Sequence, residues 1–257
     1  MEAENMKKYL PYANYLAAGA GVLAALLRQW TLVAGRDKTG LYPAAHPGWI
    51  GYLLVMAAAV VVIYLMTRDC GKNGTCQTLF PAGIFPVLGQ LAAACGIVVH
   101  CLPLLQSNRM GLICGILGFC AAGALLVLSW QRFQQKLPFA PAYLLTCLFF
   151  AMWLFLMGKQ YSTETQLLCF LPQFLACAAS ALASYELMGC SAEDGSRQKS
   201  LFWSLSAAAL CFAATPGASW MYAAVGLWHL LGHCSLAEPT EELPKEETVE
   251  EIEETDL

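Results

Sequence analysis

The second half of the sequence contains two pairs of side chains that can bind metal. The two members of each pair are four residues apart. His229 and His233 occur in WHLLGHC, and Glu186 and Cys190 occur in YELMGC. Residues four apart share one face of an α-helix, and nitrogen, oxygen and sulfur atoms at that spacing can bind zinc or iron. Neither an HExxH nor a CxxC motif accompanies them. The alternative interpretation is therefore that they are polar residues near helix ends.

A second polar group lies in the stretch GRDKTGLYPAAHPG, between the first two hydrophobic runs. A turn and a helix start at this point need only Gly40 and Pro47. The additional polar side chains indicate recognition of an external ligand or partner, and surface solubility is the alternative. These side chains belong to Arg36, Asp37, Lys38 and His46.

The same region carries the one resemblance to other proteins that the sequence offers. The segments LRQW, GRDKTGL and HPG resemble the first external loop of a set of unnamed multi-pass bacterial membrane proteins of unknown function. The resemblance implies a similar arrangement of hydrophobic segments. It implies no catalytic role for any residue.

Strongly polar residues are rare inside the hydrophobic runs. No Asp, Glu, Lys or Arg lies near the middle of a predicted span, which argues against a proton- or sodium-coupled pump. Gln90 and Gln173 are the main polar candidates, and Pro86 and Pro172 beside them could break their helices. The two glutamines could then line a cavity for a neutral small molecule, or each could form an interhelical hydrogen bond.

The composition predicts a membrane protein. Of its 257 residues, 58% are hydrophobic and 12% are charged, and the mean hydropathy is +0.54. Soluble domains average about 45–50% apolar and about 25% charged residues. The hydrophobic runs are too closely spaced for a separate soluble core. We therefore expect one membrane-embedded helical domain over residues 1–236.

Eight uncharged windows are close to the roughly 20 residues that a helix needs to cross the bilayer. The seventh is short and ends at Thr215-Pro216-Gly217, a turn signal, so the last two could instead form a re-entrant hairpin. The sequence predicts an all-α bundle of about eight transmembrane helices. The windows are Leu10–Leu27, Trp49–Met66, Ile84–Leu105, Met110–Ser129, Pro138–Met157, Thr165–Leu187, Leu201–Thr215 and Ala218–Leu236.

The distribution of basic residues predicts the orientation. With eight crossings, nine of the 14 Lys and Arg residues fall on the side of the N-terminus. Positive charge favours the cytoplasmic side, so both termini are predicted to be cytoplasmic in the plasma membrane. Arg28 counts among the charges on the opposite side, just beyond the first window.

The last 21 residues, 237–257, differ sharply from the rest in composition. They hold ten acidic residues and one basic residue, Lys245. High charge with few apolar residues predicts a disordered or fluctuating cytoplasmic tail. The tail is either solvated or docks on a basic protein partner or on the chain's own basic loops.

Small residues indicate how the helices pack. Gly111 and Gly115 stand four apart, a spacing that allows close approach of two helices. Packing within the chain is the main interpretation, and a homo-oligomer through these glycines is the alternative. The bilayer and a membrane or cytoplasmic protein are the expected partners, with no sign of nucleic-acid binding and no expected cofactor.

Three functional hypotheses follow. The first is a non-enzymatic membrane protein, either a small-solute carrier or an accessory membrane subunit. The second is an envelope scaffold or sensor that recruits a cytoplasmic partner through its acidic tail. The third is a metal-dependent membrane enzyme, which ranks last because the sequence has no nucleophile elbow and no paired intramembrane Asp.

Overall fold

The computed structural model describes residues 10–34, 46–68, 80, 83–161, 167–192 and 194–232. Within these ranges the chain forms α-helices and a short 3-10 turn, and no strand is present. The all-α prediction is therefore confirmed. Arg36, Asp37, Lys38, His233 and the acidic tail lie outside the described residues. The helices are α1 Leu10–Ala34, α2 Pro47–Arg68, α3 Ile84–Cys101, α4 Arg109–Phe133, α5 Ala140–Tyr161, α6 Leu167–Ser191, α7 Arg197–Ala214 and α8 Met221–Leu231.

Six of the eight helices, α1 to α6, are long and apolar enough to cross a membrane by length and composition. The helix α8 is apolar but has only 11 residues. The 18-residue helix α7 includes Arg197 and Lys199 in its first turn and is not among the six. The structure thus gives six helices that could span a membrane. The last two helices, α7 and α8, are not long and apolar enough to be counted with them.

Successive helices run antiparallel. In α6 and α7, Cys190 Sγ lies 3.0 Å from Ser200 Oγ, and Ser180 Oγ lies 3.3 Å from Cys211 Sγ, so the two helices pair in opposite directions. We call the end of the bundle where α1, α3, α5 and α7 begin the proximal end. The opposite end is the distal end.

Helices α3 to α8 form a closed ring. Each packs against the next, and α8 packs back against α3. The α3–α8 contact is close because of glycine: a Cβ added at Gly96 would lie 2.6 Å from Ala224 Cβ, and one added at Gly89 would lie 3.0 Å from Trp228 Cα. These two contacts also show that α8 runs antiparallel to α3. The remaining helices, α1 and α2, pack on the outside of the ring against α7.

A tight turn at the distal end joins α7 to α8. The backbone N–H of Ala218 donates to the Thr215 carbonyl at 3.1 Å, and Gly217 has a φ of 71°. Pro216 at the second position and a positive-φ glycine at the third are typical of a type II turn. The turn that Thr215-Pro216-Gly217 predicted is therefore present. It links the two helices as a hairpin within the bundle.

The weak hydrophobic signal of α7 has a packing explanation. This helix contacts α1, α2, α6 and α8, and 12 of its 18 residues are buried. Its sequence is rich in Ala and Ser, small residues that allow neighbouring backbones to approach closely. A helix covered by protein on most sides needs little apolar surface of its own. The hydropathy of α7 is accordingly lower than that of the six spanning candidates, and its window is the short one in the sequence.

The distribution of side-chain size is typical of a membrane protein. Large apolar side chains such as Leu54, Val99 and Phe133 are exposed on the bundle surface, whereas Ala, Ser, Cys and a few aromatic residues fill its interior. In water such a surface would be unstable, because exposed apolar patches are rarely this extensive. The hydrocarbon interior of a lipid bilayer would accommodate this apolar surface.

The structure places Pro86, Pro172 and Arg28 within helices. Pro86 lies in the first turn of α3, where a helix needs no N–H donor, so it does not break the helix. Pro172 does lie inside a helix, α6. The first helix also continues past the predicted end at Leu27 to Ala34, so Arg28 is inside α1 and not beyond it.

Gly111 and Gly115 are buried against the chain's own 3-10 turn, Pro103–Gln106, and its flanks. The nearest side chains are Ser107 for Gly111 and Leu105 for Gly115. In this fold the pair serves packing within the chain. A homo-oligomer through these glycines stays a prediction, and it would require the turn to move.

Candidate functional site

The distal half of the ring is closed by an aromatic contact across its interior. Tyr222, the second residue of α8, reaches α5, where Trp153 Nε1 donates to its hydroxyl at 3.1 Å. The same hydroxyl lies 3.4 Å from Cys177 Sγ on α6 and 3.5 Å from Met157 Sδ on α5. Three helices of the ring therefore meet at one phenol oxygen.

A fourth helix joins this contact through stacking. The His100 ring of α3 lies 4.4 Å from the Trp153 ring in an edge-to-face arrangement. Since α3 and α5 are not neighbours in the ring, this contact also crosses the interior. We call His100, Trp153, Cys177 and Tyr222 the distal plug, because together they fill the ring at this level.

Proximal to the plug, helices of the ring carry buried polar groups for which the described residues provide no hydrogen-bond partner. Gln90 of α3 is fully buried, and neither its amide nitrogen nor its amide oxygen has a hydrogen-bond partner among the described residues. The Ser204 hydroxyl of α7 is also buried and has no partner there. Buried polar groups are normally satisfied, so an unsatisfied amide indicates space for water or a ligand.

His229 lies at the same level as Gln90. The contact between Gly89 and Trp228 brings the neighbouring residues Gln90 and His229 to one height along the α3–α8 pair. His229 is buried and shares a helix face with Tyr222, seven residues earlier, whose hydroxyl points into the ring. Gln90 and His229 therefore lie at one level on two neighbouring helices of the ring.

The proximal mouth of the ring is marked by a buried arginine. Arg132, in the last turn of α4, is 3% exposed, and its guanidinium lies 5.4 Å from the centre of the Phe80 ring. It interacts electrostatically with the buried Tyr143 hydroxyl of α5, which in turn lies within electrostatic range of Cys190 on α6. Arginine Nε and Nη1 and the Tyr143 hydroxyl have no hydrogen-bond partner of good geometry in the described part of the chain.

A second buried arginine holds the distal end of α7 from outside the ring. Arg28 of α1 is 3% exposed, and its Nη1 donates to the carbonyl of Ala214 at 2.5 Å and to that of Ala213 at 3.5 Å. Its Nη2 donates to the Cys169 carbonyl at 3.4 Å. Cys169 lies three residues before Pro172, whose ring disturbs this turn of α6. Arg28 is therefore a clamp between three helices and not a surface charge.

Of the residues predicted for ligand binding, His46, Gln90 and Gln173 are described. His46 Nδ1 accepts from the Gly48 backbone N–H at 3.1 Å, and its ring lies 5.3 Å from that of Trp30. Gln173 is buried beside Pro172 near the distal end of α6. The three side chains do not form one group, because His46 precedes α2 outside the ring whereas Gln90 is inside it. The prediction for Arg36, Asp37 and Lys38 falls outside the described residues.

The predicted metal ligands are also only partly described. No group of three or more His, Cys, Asp or Glu side chains within the described ranges could hold a metal ion. Glu186, Cys190 and His229 are therefore not brought together as a set, and Cys190 instead contacts Ser200. His233 lies outside the described residues, so a site that includes it stays a prediction.

Sequence reasoning missed the two buried arginines and the distal plug. The sequence places Arg28 just beyond the first apolar window, and Arg132 follows the fourth window, which ends at Ser129, so both have the position of flanking charges. A signal was available for Arg28: the apolar pattern resumes after it in WTLVA, so the helix continues beyond the charge. Nothing in the sequence indicates that Trp153 and Tyr222 meet, since they are 69 residues apart.

Comparison with known proteins identifies no relative of this chain. The chain matches no protein-family model, and it shows no significant similarity to a curated protein or to a solved structure. Its function must therefore be argued from the ring itself.

Proposed function

We propose that this chain is a multi-pass protein of the plasma membrane with both termini in the cytoplasm. The six long apolar helices and the large apolar side chains on the bundle surface support this proposal. In this arrangement the proximal end is cytoplasmic and the distal end is external. The α7–α8 hairpin crosses inside the bundle, where other helices cover its polar backbone and side chains.

We further propose that the helix ring binds a small, uncharged polar solute and allows it to pass, as a carrier does. The observation that carries this proposal is the Gln90 amide of the ring helix α3, which is fully buried and has no hydrogen-bond partner among the described residues for either of its polar atoms. Leaving a buried polar group unbonded costs about 1–3 kcal/mol. Such a cost is tolerated where a bound solute or water satisfies the group.

The chemistry of the interior selects the class of solute. Gln90, His229 and Ser204 offer both donors and acceptors. They suit a small molecule with hydroxyl, amide or carbonyl groups. The distal plug lies between these groups and the distal end, so passage requires Trp153 and Tyr222 to separate.

Osmotic swelling of proteoliposomes tests this function. Vesicles containing the purified chain are mixed with an iso-osmolar excess of urea or glycerol, and light scattering reports solute entry. We expect faster entry than in protein-free vesicles. We expect Gln90→Leu to slow entry about tenfold, because one lost hydrogen bond is worth roughly 1.4 kcal/mol at most.

The matched control is Gln134→Leu, which removes the same amide from an exposed position just after α4. Vesicles containing this variant should take up solute at the wild-type rate. If wild-type vesicles swell no faster than empty ones with either solute, the chain is not a carrier for small uncharged molecules, and the role of accessory membrane subunit becomes the better hypothesis.

The alternative roles are tested separately. A scaffold or sensor acting through the acidic tail would lose its partner, but not its membrane insertion, when residues 237–257 are removed. A metal-dependent enzyme would contain stoichiometric zinc or iron that His229→Ala and His233→Ala remove. An external recognition role for the loop at Arg36 and Asp37 would be lost in the double alanine variant while insertion is retained.

A further inference from the structure

The proximal mouth of the ring has chemistry that differs from the neutral interior. Arg132 carries a permanent positive charge, yet it is 97% removed from solvent, since its exposed fraction is 3%. A buried charge is stable only when hydrogen bonds and an opposite charge compensate it. The Phe80 ring supplies a cation–π contact at 5.4 Å, and such a contact leaves the N–H groups in the guanidinium plane available.

Two of those N–H groups have no acceptor in the described part of the chain. Arg132 Nε and Nη1 are buried, and no hydrogen-bond partner exists for them among the described residues. The Tyr143 hydroxyl beside the guanidinium is also buried; it interacts with Arg132, and it forms no hydrogen bond of good geometry with any described residue. Nε and Nη1 lie on different edges of the planar guanidinium and point away from each other, so each can donate a charge-assisted hydrogen bond to a separate acceptor.

The start of α7 adds positive potential at the same end. Cys190, within electrostatic range of Tyr143, contacts Ser200 in the first turn of α7. That turn contains no acidic residue, and the N-cap Ser196 makes no side-chain capping hydrogen bond. Arg197, the first residue of the helix, has a buried Nε that also lacks a partner in the described ranges. An anion at this position would face a helix N-terminus as well as arginine.

We propose that Arg132 and Tyr143 form an oxyanion-binding site at the proximal mouth of the ring, with the start of α7 as its third side. The ligand is a phosphate or similar oxyanion group, held by a guanidinium N–H of Arg132 and by the Tyr143 hydroxyl. This group belongs either to a free anion or to the headgroup of an anionic lipid. The site does not depend on solute passage, so it stands even if the vesicles of the swelling experiment show none.

Binding is measured by calorimetry on the full chain purified in dodecyl maltoside. Inorganic phosphate represents the free anion, and dioctanoyl phosphatidylglycerol represents the lipid, with dioctanoyl phosphatidylcholine and sodium chloride of equal ionic strength as references. We expect saturable binding of phosphate, of phosphatidylglycerol or of both, and none with the references. Phosphate alone indicates a free anion, and phosphatidylglycerol alone indicates a lipid headgroup.

Variants assign the binding to the site. Arg132→Gln should weaken it at least tenfold, because hydrogen bonds to charged groups contribute about 1.5–3 kcal/mol each. Arg132→Lys should retain part of the affinity, since the charge is kept and the guanidinium N–H groups are lost. Lys136→Gln removes a charge four residues later from an exposed position and should have no effect. If Arg132→Gln does not fold, Tyr143→Phe removes one hydroxyl and should weaken binding severalfold.

Two results would overturn the proposal. The first is the absence of saturable binding with either probe, or binding that Arg132→Gln, Arg132→Lys and Tyr143→Phe leave unchanged. The second concerns Asp69, which lies outside the described residues. If phosphate binds only to Asp69→Asn and not to the wild type, that carboxylate already neutralises Arg132, and the native chain has no oxyanion site.

Discussion

The guanidinium of Arg28 in α1 donates a hydrogen bond of 2.5 Å to the carbonyl oxygen of Ala214, the last residue of α7. The last four carbonyls of a helix have no partner within the helix, and they carry its partial negative charge. In water they would be solvated. Here the end of α7 is buried in the bundle, so Arg28 replaces the solvent and compensates the helix dipole at the same time.

Arg28→Leu should therefore destabilise the bundle even though it removes a buried charge. The variant leaves the carbonyls of Ala213 and Ala214 without their donor, at a cost of about 1–3 kcal/mol. In a chain of this size each kcal/mol lowers the Tm by roughly 2–4 °C. Scanning fluorimetry in detergent measures this shift.

Arg109→Leu is the control, because it removes an arginine at the same end of the bundle from an exposed position. Its Tm should equal that of the wild type. If Arg28→Leu melts at or above the wild-type temperature, the cost of burying the charge exceeds the value of its hydrogen bonds, and the clamp does not stabilise the fold.

The absence of a side chain at Gly96 allows α3 and α8 to approach closely. Gly96→Ala introduces a Cβ that would lie 2.6 Å from the Ala224 Cβ, so the two helices must separate. Overpacking of this kind costs about 1–3 kcal/mol. We expect a lower Tm and, in the swelling experiment, altered solute entry, because the α3–α8 seam closes the ring.

Gly123→Ala tests whether any glycine in an apolar helix behaves in this way. No atom lies within 4 Å of the position that its Cβ would occupy. The change should leave the Tm equal or slightly higher, since Ala favours a helix by up to about 1 kcal/mol over Gly. Equal effects at Gly96 and Gly123 would contradict the packing explanation.

Local signals in the sequence were sufficient for much of this fold. Apolar windows located the helices, and Pro216-Gly217 located the α7–α8 turn, because such signals depend on residues that are close in sequence. Gln90 was also identified as an interior polar residue for a physical reason: an uncharged amide in an apolar window must find a partner or a cavity.

The two arginine sites could not be predicted in the same way. Arg28 is stabilised by carbonyls 185 and 186 residues away, and a hydropathy window ends wherever a charge appears. Hydropathy also underestimated α7, whose apolar surface is supplied by the helices around it. In both cases the decisive interactions are tertiary, so composition within one segment carries little information about them.

The distal plug predicts energetic coupling between two residues. Tyr222→Phe removes the acceptor of Trp153 Nε1 and leaves a buried N–H unpaired, which should cost about 1–3 kcal/mol. Trp153→Phe removes the donor and should cost a similar amount or more, because the ring is also smaller. A double-mutant cycle on thermal stability should show a coupling of about 1 kcal/mol. Additive effects would mean that the hydrogen bond contributes nothing.

The proposed topology places the α7–α8 turn on the external side, and this is the sharpest test of the final pair of helices. A helix of 18 residues is about 27 Å long, close to the thickness of the hydrocarbon core, and Trp220 at the turn is 81% exposed. A short epitope inserted after Ala218 should therefore be accessible from outside intact cells, as should one in the Gly35–Gly48 loop. Epitopes at positions 1 and 257 should become accessible only after permeabilisation.

Exposure of either terminus in intact cells would refute the even number of crossings. An epitope after Ala218 that stays inaccessible while the Gly35–Gly48 epitope is labelled would show that α7 and α8 form a re-entrant hairpin that does not reach the external surface.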